Sequence, residues 1–323
     1  MDNSKEETKQ VFPKLKLQDK VELFMYPFMN ELEKGLVLRK DDLKNITFHH
    51  DEANTDRELK EYLQELIENH FATLPYQDQK EFYFNSEISG GYVINYSLFS
   101  DIFINKVYLP NEMTEEIKVQ LRKQNSVYTD PDIVLEITDT NHSELIYVPV
   151  ELKSTKKNAI PGSSIQQITP TEWVIFVKHS DKGEIEITTG QYIYAVNSTM
   201  QFPDRSPRPS VAFNELVNWN KTFRREHKGK TKDQLAITIK ADIIEKKSEL
   251  LEDWQGVLVE RWLKVIEKRT VKKNEAWFNN TIRNYTLEFL NNYESLSPNE
   301  KVQLKETINE AIEKYNKYAD KEE

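Results

Sequence analysis

Two acids and one amine near the middle of this chain have the types and spacing to handle a phosphodiester. Pro131-Asp132 opens the apolar run I-V-L-E-I, and a second run, L-I-Y-V-P-V, leads into Glu151-Leu152-Lys153. In the second run Ile146, Val148, Val150 and Leu152 are all apolar. With a side-chain period of two, Leu152 then turns into the core while Glu151 and Lys153 share the other face. Pro131 fixes the turn ahead of Asp132, so pairing of the two runs would make Asp132 and Glu151 converge. Two carboxylates with an open side suit Mg²⁺, which takes oxygen ligands octahedrally and keeps several waters. The Leu152 carbonyl is a candidate third ligand. Such an ion lowers the pKa of a bound water and neutralises charge on a scissile phosphate. Lys153 would orient that water and contact the phosphate. The bland alternative is a surface ion pair between Glu151 and Lys153.

The surrounding elements must hold these groups. Val21, Phe24, Met25, Phe28, Met29 and Leu32 form a helical stripe over Gln18–Lys34, with Pro27 inside it and Gly35 as a stop. Thr55-x-x-Glu58 has the form of a capping box, and Leu59, Tyr62, Leu63 and Leu66 continue a helix to about His70. Tyr92–Tyr96, Ile102–Leu109, Ile133–Ile137, Leu145–Lys153, Glu184–Thr188 and Gln191–Val196 read as strands. Trp173–Lys178, a continuous apolar run, reads as a strand buried on both faces. From Lys232 the pattern reads as helix to the end, with a third C-terminal helix opening at Ser297-Pro298-Asn299-Glu300. The expected class is α/β: an α+β mixed sheet flanked by helices, followed by a helical C-terminal subdomain. The expected boundaries are a helical layer over 1–75, a mixed-sheet core over 76–232, and the helical subdomain over 233–323.

Composition narrows the function. The 323 residues, 38% hydrophobic, are ample for a buried core. The N-terminus is polar and no run is apolar enough to span a bilayer, so a cytoplasmic protein without membrane contact is expected. Cysteine is absent, which excludes disulfides and Cys-ligated metals. No G-x-x-x-x-G-K-[ST] occurs, so no nucleotide cofactor is expected. The six histidines have no metal-binding spacing. Net charge is −10, yet Asp204–Lys232 carries eight Lys/Arg against three acids. Local clustering of this kind can mark a nucleic-acid surface inside an acidic protein; a solvated loop is the plain alternative.

With Pro131, Asp132, Glu151, Leu152 and Lys153 in place, and S-T-K-K following, the chain resembles the PD-(D/E)XK nuclease superfamily, type II restriction endonucleases in particular. The motif resemblance spans about Asp130–Lys178. It implies a restriction endonuclease-like core, Mg²⁺ as cofactor, Asp132 and Glu151 as metal ligands, Lys153 as catalytic lysine, and a homodimer acting on double-stranded DNA. Many members add an acid from an upstream helix; Glu65, Glu68, Glu87 and Asp101 are the candidates. DNA contacts are expected from the polar segment Lys156–Glu172, through Lys156, Ser163, Ser164 and Gln167, and from the basic loop Asn218–Lys232, through Arg224, Arg225 and Lys228. Two other readings stay open: a repair or recombination nuclease that reads DNA structure, and a non-catalytic binding module.

Overall fold

The structure is a computed structural model and describes residues 15–46, 57–74, 80–88, 90–123, 131–141, 144–161, 170–180, 183–201, 208–230, 232–252, 254–267 and 276–319. The chain divides into two compact units, Met1–Glu252 and Asp253–Glu323.

The first unit begins with helices α1 (Leu17–Leu38), α2 (Lys40–Lys44) and α3 (Arg57–His70). Strands β1 (Lys80–Ser86), β2 (Gly90–Asn95) and β3 (Ile102–Tyr108) lead to α4 (Glu115–Lys123). Then come β4 (Ile133–Asp139), β5 (Ile146–Thr155), β6 (Ala159–Pro161), β7 (Trp173–His179) and β8 (Ile185–Gln191). The unit closes with α5 (Tyr192–Ala195), β9 (Val196–Gln201), β10 (Arg208–Ala212), α6 (Phe213–Phe223), β11 (Arg224–Lys228), β12 (Asp233–Ile239) and α7 (Ala241–Glu252).

The central sheet has five strands in the order β3-β4-β5-β7-β8. It is mixed: β5 and β7 run parallel, and the other neighbours are antiparallel. The period of two sorts its side chains. Ile133, Leu135, Ile137, Val150, Leu152, Ile175 and Val177 face one way and join α1 and α3 in the main core. The α1 stripe supplies Val21, Phe24, Met25, Phe28, Met29 and Leu32, all at most 1% exposed. Spacing of three and four residues along a helix puts these on one face. On the opposite side, α4 covers Val134 with Ile117 and Leu121, and Phe213 of α6 meets Phe176 edge-on at 5.4 Å between ring centroids. An open edge invites pairing with other chains, and α3 occupies the edge of β3. Gln64 donates to the Val107 carbonyl at 2.7 Å, and Val107 N–H donates to Glu68 Oε1 at 2.8 Å.

The second sheet has the order β11-β12-β1-β2 and corrects the sequence reading in two places. That reading puts no element over Lys80–Ser86 and sets Asp233–Ile239 inside a helical region; both are strands. The stretch D-Q-L-A-I-T-I alternates, burying Leu235 and Ile237, and it pairs in parallel with β1, Lys80 opposite Asp233. The helical unit therefore begins at Asp253, not at 233. The expected strand over Gln191–Val196 is instead the short helix α5. A third sheet, β6-β10-β9, uses part of the expected polar connection after Lys153.

The second unit holds α8 (Trp254–Ile266), α9 (Ala276–Ser295) and α10 (Pro298–Ala319). The capping box read at Ser297 forms at the start of α10. Ser297 N–H donates to Glu300 Oε2 at 2.8 Å, and Glu300 N–H returns to Ser297 Oγ at 3.4 Å. The capping box expected at Thr55 lies outside the described residues. No described helix is long and apolar enough to cross a membrane.

Candidate active site

The β4–β5 register assembles the site. Ile133 stands opposite Val150 in an antiparallel pair. Asp132 directly precedes the first paired residue of β4 and Glu151 directly follows its partner Val150, so the two acids meet at the end of the ladder. The Asp132 carboxylate bends onto the neighbouring backbone: Oδ2 accepts the Leu152 N–H at 2.8 Å. That amide lies between Glu151 and Lys153, so Asp132 is tied to the middle of the Glu-Leu-Lys triplet. Lys153 Nζ in turn donates to Glu151 Oε1. The three residues are 9%, 4% and 8% exposed for Asp132, Glu151 and Lys153. Charges this far from water are stable only when paired.

The electrostatics decide what Lys153 can do. Burial by itself pulls its ammonium pKa down. The Glu151 carboxylate, then Tyr192 and the more distant Asp132, outweigh that effect and hold it above the ordinary lysine value. Lys153 is therefore a fixed cation at neutral pH. It can hold an anionic phosphate or orient a water; it has no lone pair to act as a base.

The donor set fits a hard divalent cation. Mg²⁺ commonly takes one or two carboxylates and fills its remaining positions with water, and Asp132 with Glu151 supplies that number. The Leu152 carbonyl lies in sequence between the Glu151 and Lys153 side chains and is the candidate third ligand. Pro131, ahead of Asp132, has no N–H to give a neighbouring strand, and the side chain of Asp132 takes the Leu152 amide instead.

Among the described residues no third acid joins them. Among the described residues no group of three or more His, Cys, Asp or Glu side chains converges on a possible metal position. Glu68 is bound to the Val107 amide, Asp101 pairs with Lys20, Glu87 with Lys240, and Glu65 faces solvent. Glu136 lies on the same face of β4, about 13 Å along the strand from Asp132, and is held by Asn105 at 2.5 Å and Tyr108 at 2.9 Å. What α3 sends instead is a cation. Lys60 Nζ lies 2.6 Å from Asp132 Oδ1, and their side chains are 13% and 12% exposed. Sequence reasoning missed Lys60, because a lysine beside an apolar stripe is commonplace on a surface helix.

The expected DNA contacts divide three ways. Ser163, Ser164 and Gln167 lie outside the described residues. Lys156, just past β5, is exposed, as are Arg225 and Lys228. Arg224 turns inward. Its guanidinium pairs with Glu33 of α1 at 2.6 Å and donates to the Thr189 carbonyl at 3.1 Å. The reason is the strand itself: the basic stretch expected as a loop is the end of α6 followed by β11, and alternation puts Arg224 and Glu226 on the α1 side. Glu226 accepts from Asn30 at 2.8 Å and pairs with Lys34. A charged cavity of about 100 Å³, lined in part by Glu31, Lys34, Lys80 and Glu226, lies here and shares no residue with the Asp132 site.

No protein-family model, no curated protein and no solved structure matches this chain.

Proposed function

We propose that the chain is a Mg²⁺-dependent, sequence-specific endonuclease of double-stranded DNA, a PD-(D/E)XK enzyme of the type II restriction kind that works in the cytoplasm as a homodimer. One observation carries the reading: Asp132 is locked by the Leu152 amide beside the Glu151–Lys153 pair, at the end of an antiparallel strand pair in a mixed, helix-flanked sheet. A solvated surface ion pair has no need of burial, nor of a second carboxylate tied to the backbone amide between its two partners.

In this reading Asp132, Glu151 and the Leu152 carbonyl hold the ion, which when bound acidifies a water and offsets charge on the phosphate. Lys153, kept protonated, orients the attacking water and binds a non-bridging phosphate oxygen. The strand pair fixes these groups, so little reorganisation is left for the moment of reaction.

The test is plasmid DNA incubated with the purified protein and Mg²⁺. Discrete fragments are expected, with none in EDTA. A smear, or preferential cutting of branched or nicked substrates, favours the structure-reading nuclease. No Mg²⁺-dependent cleavage across many plasmids removes the nuclease reading altogether. The exposed basic residues of β11 have their own test. Arg225→Ala combined with Lys228→Ala should lower the slope of log affinity against log salt by about 2, near one for each phosphate no longer neutralised. Stability should stay within about 0.5 kcal/mol, since both side chains are exposed. Filter binding over a salt series measures the first, and chemical denaturation the second.

A further inference from the structure

The ion pair between Lys60 and Asp132 has no place in the mechanism above, yet it is one of the most enclosed pairs of the described residues. Asp132 has two oxygens. Oδ2 is taken by the Leu152 amide. Oδ1 is the oxygen without a backbone bond, the more open one for a cation, and the Lys60 ammonium stands against it. A magnesium ion ligated there would sit about 2.1 Å from the oxygen, in the space the ammonium fills. Two cations held that close in a site with little water repel strongly. Without metal the charges cancel: Lys60 and Lys153 against Asp132 and Glu151. Adding a divalent ion with both lysines in place would leave the site at a net charge of +2.

We propose that Lys60 is a built-in counter-ion that holds Asp132 in its metal-free form and must be displaced for a divalent cation to bind, so that it sets the ion concentration the site requires. The inference rests on the metal-binding role of Asp132 in the function proposed above. Lys60 is a positioning residue here. Its ammonium keeps the carboxylate paired whenever no ion is bound, and its flexible four-carbon stem can carry the charge to solvent when an ion binds. The arrangement stabilises the fold without metal at the cost of metal affinity.

Isothermal titration of Mg²⁺ into the full chain, with thermal unfolding in EDTA and in Mg²⁺, tests this without any measurement of cleavage. Lys60→Met should tighten Mg²⁺ binding roughly tenfold, by removing a unit charge next to the ligand. The same variant should melt earlier than wild type in EDTA and gain more from Mg²⁺ than wild type does. Lys60→Gln keeps a donor for Oδ1 without the charge; it should show the same tightening if the methionine variant folds poorly. Lys60→Arg keeps the charge and should bind Mg²⁺ no more tightly than wild type. Wild type and both neutral variants binding Mg²⁺ within about twofold of one another, well inside the effect of one unit charge, overturns the counter-ion role and leaves the metal site standing. Failure of wild type and neutral variants alike to bind Mg²⁺ or Mn²⁺ overturns both proposals together.

Discussion

Lys153→Met should lower the single-turnover cleavage rate in saturating Mg²⁺ by about 10²–10³-fold, the usual effect of removing one group aimed at developing negative charge. The direction follows from protonation. Glu151 beside it, followed by Tyr192 and Asp132, overcomes burial and holds the Lys153 ammonium above the ordinary lysine value. A base role would require the neutral amine, which is scarce at any pH where the protein is assayed. No limb of a pH–rate profile between about pH 6 and 9 should therefore trace to Lys153. The linkage sign agrees. A pKa raised on folding contributes stability fully below the unfolded value, about 10.4, and loses it only as pH climbs through the folded value. The methionine variant should also lose about 3–5 kcal/mol of metal-free stability, because it strands the buried Glu151 carboxylate. Circular dichroism in Mg²⁺ checks that the fold survives. A folded methionine variant that cleaves within about threefold of wild type, far short of the expected loss, sinks the assigned role.

Arg224→Ala should destabilise the first unit by about 2–3 kcal/mol and change DNA affinity little. Its partner Glu33 is 20% exposed on its side chain, so breaking the pair leaves a largely enclosed carboxylate. The cost falls below that of a fully buried pair because Glu33 keeps the Thr189 amide at 2.6 Å and the Thr189 hydroxyl at 3.1 Å. The pair ties α1 and β11 to β8, the edge strand of the central sheet. Urea denaturation reads the loss, and filter binding reads the unchanged affinity. A large fall in DNA affinity with stability intact would return Arg224 to the binding surface. Set beside the Arg225/Lys228 double variant, this separates two neighbouring arginines that composition treats alike.

The elements legible in the sequence were those whose pattern is local. The α1 stripe, the two strands around Asp132 and Glu151, the continuous apolar run of β7 and the Ser297 cap each follow from short-range periodicity or side-chain chemistry. The elements that were missed depend on a distant partner. D-Q-L-A-I-T-I, β12, becomes a strand because β1, far earlier in the chain, offers it a parallel edge; no neighbouring residue announces that. Arg224 was misplaced for the same reason, since the acid that draws it inward sits on α1.

The candidate site divides along the same line. Side-chain alternation within one strand was enough to set Glu151 and Lys153 on a shared face, and the proline before Asp132 already marked a turn. Residue order alone determined that much, because neighbours in a strand have few ways to point. Three things were left to the tertiary structure: the register that carries Asp132 to the Leu152 amide, the absence of a third acid among the described residues, and the lysine that arrives from α3 to neutralise Asp132. Each depends on how separate elements pack. Long-range electrostatic pairing is chosen by the fold as a whole, and a one-dimensional pattern carries almost no trace of it.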